Sequence, residues 1–157
     1  MTQIASVIDQ WADNTPEKIA LVCAEQSYSY QQLYHDANNV AVNLQIKHYA
    51  SEHIALHMPE CYEYVLCYLA LHKIAAVPLS ITYKAKAQEI EFKLIHGEAK
   101  ALVIHHSKLQ ELAKINLEQT QVQDIWVVGD GEHRYIPFQQ LLSQQKNCSK
   151  KMWMKIN

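Results

Sequence analysis

Glycine is scarce: the chain holds only three, Gly97, Gly129 and Gly131. No two of them stand at the spacing of a phosphate-cradling loop, so neither G-x-G-x-x-G nor G-x-x-x-x-G-K-[ST] occurs. The four cysteines, Cys23, Cys61, Cys67 and Cys148, include no C-x-x-C pair, which removes the commonest zinc and redox signatures. Cys61 and Cys67 lie six apart on an expected helix, and that separation turns them to different faces. No metal site is expected, and the cysteines read as thiols of a reducing compartment.

Long apolar runs are missing too. The longest, Tyr64 to Leu71, is far shorter than the ~20 residues a spanning helix requires, so no membrane span is expected. Met1-Thr2-Gln3-Ile4 has neither the basic region nor the apolar core of a signal peptide, which makes the cytoplasm the expected location. A formal charge of −2 supplies no basic field, and nucleic acid is excluded as an expected partner. What is present is ordinary globular material, 49% apolar and 19% charged, in a length that buries roughly 70% of its unfolded surface.

Hydrophobic spacing places the elements. Ile4, Val7, Ile8 and Trp11 recur at helical intervals, so residues 3 to 13 read as a helix ended by Thr15-Pro16. Residues 18 to 24 and 27 to 30 read as strands of a hairpin whose turn, Ala24-Glu25-Gln26-Ser27, lacks glycine or asparagine. Residues 31 to 47 form the clearest helix, with Leu33, Ala37, Val40, Ala41 and Leu44 on one face. A strand follows at 53 to 58. Pro59 then opens a helix over 60 to 74 that is apolar nearly all round. Strands at 75 to 79, 100 to 105 and 124 to 128 alternate with helices at 86 to 96 and 107 to 115, and a last helical turn falls at 137 to 142. Gly97 reads as the stop of the helix before it.

The order predicts an α/β fold: a mainly parallel sheet flanked by helices, with an N-terminal β-hairpin. Continuous apolarity over 100 to 104 and 124 to 128 agrees with strands covered on both faces. Residues 1–145 are expected to form one unit, and 146–157, with Lys150, Lys151 and Lys155, a basic tail of poor order.

Several blocks of this pattern carry a resemblance. Pro16-Glu17-Lys18-Ile19-Ala20-Leu21-Val22, Tyr28-Ser29-Tyr30-Gln31-Gln32-Leu33 and Ala37-Asn38-Asn39-Val40-Ala41 resemble the opening of adenylate-forming (AMP-binding) enzymes. Ile54-Ala55-Leu56-His57-Met58-Pro59-Glu60 and Leu71-His72-Lys73-Ile74-Ala75-Ala76-Val77-Pro78-Leu79 continue it in register. Tyr83-Lys84-Ala85, Glu89 to Leu94 and Ala99 to Val103 are more similar to fatty acyl-CoA synthetases than to the amino-acid-activating domains of peptide synthetases. Two local departures stand out: Ala75-Ala76 where the family often has Gly-Ala, and Ser80-Ile81 where Asn-Pro is common.

The resemblance implies a fold like the first subdomain of acyl-CoA synthetases. It also implies an ATP-dependent reaction: a carboxylate attacks ATP to give an acyl-adenylate and pyrophosphate, and the coenzyme A thiol then displaces AMP. The family uses ATP, Mg2+ and coenzyme A for this. It binds them with a Ser/Thr/Gly-rich loop ending Pro-Lys-Gly, a later adenine and ribose site, and a lysine of a carboxyl-terminal domain. No such loop occurs here, so no catalytic, cofactor-binding or metal residue is carried over, and no cofactor is expected on this chain alone. The expected partners are a second copy of the chain or a complementary carboxyl-terminal half, because the apolar helix 60 to 74 would otherwise be bare on one side. The alternative is a catalytically silent interaction module built on the same half-domain.

Other residues invite sharper readings. His105-His106 leave a strand in opposite directions and make a poor chelate. Gly129-Asp130-Gly131-Glu132 lacks the lysine and helix of a phosphate turn and reads as a connection between strands. Tyr62, Tyr64 and Tyr68 read as core with their hydroxyls at an edge, and Ser29 and Ser107 lack the setting of a hydrolytic nucleophile.

Overall fold

The computed structural model describes residues 4–144; the expected tail 146–157 and Cys148 lie outside the described residues. Helix α1 (Ile4–Asn14) leads into a hairpin of β1 (Ile19–Cys23) and β2 (Gln26–Ser29), followed by α2 (Tyr30–Ile46). Then come β3 (His53–His57), α3 (Tyr62–Lys73), β4 (Val77–Ser80), α4 (Ala87–His96) and β5 (Ala101–His105). The one-turn helix α5 (Leu109–Leu112), β6 (Asp124–Val128), β7 (Ile136–Pro137) and α6 (Gln139–Leu142) complete the described chain.

The hairpin is antiparallel, and β3 to β7 form a five-stranded parallel sheet in the order β4-β3-β5-β6-β7. The expected fold class holds. Three details differ from the sequence reading. Helix α3 begins at Tyr62 with Cys61 as its N-cap, so Pro59 lies in the connection before it and does not open it. The region 107 to 115 is a 3-10 turn (His106–Lys108) followed by only one α-helical turn. Strand β7 was not foreseen, because two residues ending in a proline carry no strand signal; Ile136 pairs with Trp126 at the sheet's edge, where a missing N–H is tolerated.

The sheet separates two apolar clusters. One face packs Leu33, Val40, Leu44, Leu66, Leu71 and Trp126 among α2, α3 and α6. The other packs Ile90, Leu94, Leu102, Ile104, Leu112 and Val127 beneath α4 and α5. Strand residues alternate between them, Ile54 and Leu56 to the first and Ala55 to the second, as the pleat requires.

Helix α3 is not left bare. Leu66 and Leu69 are buried, at 0% and 4% exposure, and no residue of α3 is fully exposed. The chain's own α1 supplies the missing cover. Lys73 of α3, itself almost wholly buried, pairs with Asp9 Oδ1 of α1 and lies over the Tyr34 ring at 5.3 Å. Exposed apolar side chains lie elsewhere: Ile4, Val7 and Trp11 on α1, Ile19 and Val22 on β1, and Ile46, Val77 and Phe92 on α2, β4 and α4. An all-apolar helix marks burial on several sides, but does not say whether the cover comes from the same chain.

The scarcity of glycine shows in the backbone. The three longer helices after α1 each end in a left-handed residue that is not glycine: His48 (φ 66°), Ala75 (φ 56°) and Glu98 (φ 50°). At α3 the Ala75 N–H donates to the His72 carbonyl and the Ala76 N–H to the Leu71 carbonyl, the pair of bonds that closes a helix over a left-handed residue. The hairpin turn does the same, with Ala24 and Glu25 at φ 48° and 67°, the conformation a two-residue hairpin favours. Gly97 does stand at the end of α4 as its C-cap, but not in the left-handed conformation. Its φ is −83°, and a Cβ there would lie 2.4 Å from Leu79 Cδ2 and 2.7 Å from the Lys93 carbonyl oxygen, so glycine admits close packing rather than an unusual dihedral.

Candidate ligand cleft at the carboxyl edge of the sheet

Strand order fixes where a site can form. From β3 the chain adds β4 on one side, then crosses to add β5 on the other, so the direction of winding reverses between β3 and β5. In an open α/β sheet the crevice outside the carboxyl ends of the strands at such a reversal is where ligands sit. Here those ends are His57 on β3 and His105 on β5.

The segment after β4 folds over this edge. Its Ile81 N–H donates to the Leu56 carbonyl at 2.9 Å and its Ala85 N–H to the Thr82 carbonyl at 2.9 Å, while both side chains are buried with the α4 cluster. Tyr83 therefore stands above the strand ends, its ring 6.5 Å from that of His57 and 6.4 Å from that of His105. Its hydroxyl shares a 2.8 Å hydrogen bond with Ser107 Oγ, and Lys108 Nζ lies 4.1 Å from its ring centroid. Ser107 Oγ is in turn 2.8 Å from His105 Nδ1. Beside this cluster an open cleft of about 510 Å³ runs between Met58, Pro59, Tyr64, Ser80, Tyr83 and Lys84. The Tyr64 and Ser80 hydroxyls meet at 2.8 Å on its wall. The cleft offers hydroxyls, the Lys84 ammonium, the Glu60 carboxylate and an apolar part from Met58, Pro59 and Ile81, a lining suited to a polar small molecule with an apolar part.

Charge on the histidines is disfavoured. Burial pushes His57 below the ordinary imidazole range, Lys108 adds to the shift, and the Ile81 carbonyl and Glu89 oppose it. His57 Nδ1 is 3.5 Å from the Ile81 carbonyl oxygen, and its Nε2, wholly buried, has no hydrogen-bond partner. Burial likewise lowers His105, helped by His106 and Lys108 and opposed by Glu63.

The residues singled out from sequence separate here. His105 and Ser107 join the cluster. His106 does not diverge from His105 as expected: the chain has already entered the 3-10 turn, and the two rings lie 4.4 Å apart. Among the described residues no group of His, Cys, Asp and Glu is placed to hold a metal ion. Gly129 joins β6 to the segment before β7 at φ 94°, and a Cβ there would lie 2.3 Å from His106 Cδ2. A side chain at Gly129 would meet the histidine ring, while nothing lies within 4 Å of a Cβ placed at Gly131. Tyr62 is core, donating to Asp36 Oδ2 at 2.9 Å and stacking on Tyr28 at 3.7 Å. Ser29 caps α2, accepting from the Gln32 N–H at 3.2 Å. His57 and Tyr83 were not singled out as site residues, because only strand order brings the ends of β3 and β5 side by side.

The family described as AMP-binding enzyme matches residues 8–152. The chain belongs to that family. A medium/long-chain-fatty-acid–CoA/3-oxocholest-4-en-26-oate–CoA ligase of Mycobacterium marinum is 24% identical over 132 residues, covering 83% of this chain and 24% of that protein. A crotonobetaine/carnitine–CoA ligase of Shigella flexneri is 31% identical over 103 residues, 60% of this chain and 20% of its own length. The chain thus spans about a quarter or less of the curated relatives it matches. Among solved structures, the coronafacic acid ligase of Pectobacterium brasiliense superposes with a TM-score of 0.83 over 94% of this chain and 31% of its own, at 22% identity, a likeness that bears on fold alone. Among the described residues no helix is long and apolar enough to cross a membrane.

Proposed function

We propose that this chain is an amino-terminal portion of a fatty acyl-CoA ligase, acting in the cytoplasm and supplying scaffold and one wall of a substrate cleft. The reaction of the complete enzyme is ATP-dependent activation of a carboxylic acid to an acyl-adenylate and then to a coenzyme A thioester. The observation that carries the reading is the family match along residues 8–152, joined to an open cleft at the carboxyl edge of the sheet. No Ser/Thr/Gly-rich loop ending Pro-Lys-Gly occurs in the sequence. Groups binding ATP, Mg2+ and coenzyme A therefore belong to another segment or to a complementary chain, and this chain by itself forms no acyl-adenylate.

Two measurements test this. Pyrophosphate exchange by the isolated chain with a panel of fatty acids is expected at background, and a carboxylate-dependent signal above the no-enzyme control overturns the claim of inactivity. Grafting residues 8–144 in place of the matched segment of the Mycobacterium marinum ligase is expected to retain acyl-CoA formation. A folded graft with no activity favours the silent interaction module instead.

A further inference from the structure

Helix α1 carries two apolar faces. One looks inward: Ala5 is buried, Ile8 packs against the first cluster and Asp9 holds Lys73 of α3. The other looks out and consists of Ile4, Val7 and Trp11. Their spacing, three then four, is that of a seam that packs on a second helix, and the acidic residues of α1, Asp9 and Asp13, fall on the opposite side of it. The patch extends onto the hairpin. Lys18 Nζ lies 4.8 Å from the Trp11 ring centroid, and Ile19 follows it in the chain. Ile19 pairs with Ser29 and Leu21 with Tyr28, so Ala20 is the extra residue of a bulge. Ala20 and Leu21 both pack on the core in consequence. Ile19 and Val22, which a regular strand would send to opposite faces, are both exposed.

We propose that this patch is a self-association surface whose occupant is a second copy of the chain. The seam is self-complementary. Two antiparallel α1 helices related by a two-fold axis beside Val7 set Ile4 of each copy against Trp11 of the other, since those residues flank the axis at nearly equal distance. No like charges meet across the seam, because Asp9 and Asp13 lie on its far side. The area is sufficient as well. The five side chains, each between 39% and 63% exposed, leave about 450 Å² of apolar surface in water on each copy, within the range of patches that mark an interaction site. A two-fold pair covers about 900 Å² before its polar rim is counted, close to the ~1,000 Å² that a specific interface requires. An interface at that limit is weak, with Kd on the order of 10 μM. Ile46, Val77 and Phe92 stand one to an element, on α2, β4 and α4, and supply no comparable seam.

Sedimentation of the whole chain between about 1 and about 200 μM reads the association without any substrate, and is expected to pass from monomer to dimer across that range. Val7→Glu places like charges at the two-fold axis and should raise Kd at least about tenfold, with far-UV circular dichroism unchanged. Val22→Lys, on the hairpin, should weaken the dimer as well and serves in its place where Val7→Glu does not fold. An equimolar mixture of Val7→Glu and Val7→Lys should recover the dimer to within about threefold in Kd, because opposite charges then meet at the axis. Damage to the fold of either copy would give no such rescue. Phe92→Lys, exposed on α4, should leave Kd within about twofold. A monomer at every concentration overturns the proposal and leaves the patch to a different chain. So does a dimer that survives the charge at Val7 or Val22, a mixture no better than its components, or a dimer lost with Phe92→Lys. The outcome is independent of the ligase reading, which the exchange and graft experiments test.

Discussion

The Asn43 side-chain amide donates to the backbone carbonyl of Leu141 across 3.0 Å of buried interior, joining α2 to α6 over 98 positions of sequence. The same nitrogen reaches the carbonyls of Asn39 at 2.9 Å and Ser143 at 3.0 Å. Two of these carbonyls, Leu141 and Ser143, stand at the end of α6, where no further helical N–H reaches them. Replacing Asn43 with leucine keeps the volume and removes the donor. We expect a loss of about 2 kcal/mol, seen as a lower urea midpoint with an unchanged slope. A loss below about 0.5 kcal/mol would mean that water reaches those carbonyls instead.

Ala75→Gly should stabilise the chain. Ala75 closes α3 at φ 56°, where a Cβ is strained and glycine is not, so a gain of about 1 kcal/mol is expected. That corresponds to a rise of about 2–4 °C in Tm for a chain of this size. Gly97→Ala, by contrast, should destabilise by about 1–3 kcal/mol, since its Cβ would overlap Leu79 Cδ2 and the Lys93 carbonyl. Calorimetry of the two variants should give opposite signs; the same sign would refute the distinction between dihedral strain and close packing.

Charging the interior and charging the surface should part company. Leu66→Lys puts an ammonium group at a position with 0% exposure, and the folded fraction should collapse, at a cost of more than about 4 kcal/mol. Val22→Lys, at 63% exposure on β1, should change stability by less than about 0.5 kcal/mol. If the chain self-associates, sedimentation should respond to Val22→Lys while the fold persists. A well-folded Leu66→Lys protein would contradict the cover that α1 gives α3.

Stability should fall with acid through His57. The folded chain holds this ring neutral, below its ordinary proton affinity, so stability is complete above ~6.5 and is lost as pH drops through and below that value. His57→Leu fills the same buried position without a titrating group. Its unfolding free energy should vary less between about pH 7 and about pH 5 than that of the parent. Parallel curves for the two proteins would remove His57 from the account.

Much of the fold was legible in spacing alone. Leu33, Ala37, Val40, Ala41 and Leu44 marked the buried face of α2, and all five are in the core. Continuous apolarity in Ala101 to Ile104 and in Ile125 to Val128 marked strands covered on both sides, as they are. Helix boundaries were less legible where a short turn replaced a helix, as after His105, because one turn of 3-10 and one of α leave no period to read. The left-handed residues were illegible for a related reason: Ala75 and Glu25 are poor candidates for positive φ, and only the bonds that surround them hold them there.

The sequence by itself determined the periodicities, and with them the elements, the α/β class and the resemblance to adenylate-forming enzymes, since each depends on neighbours within a few positions. Which elements meet was decided by tertiary structure. That α1 rather than another chain covers α3 depends on Lys73 finding Asp9, 64 positions away, and no local pattern encodes that pairing. The candidate cleft has the same character. His57 and Tyr83 drew no notice in sequence, and they form a cluster with His105 because the strand order brings β3 beside β5, a choice made by how well whole faces bury against one another and not by any one residue's preference.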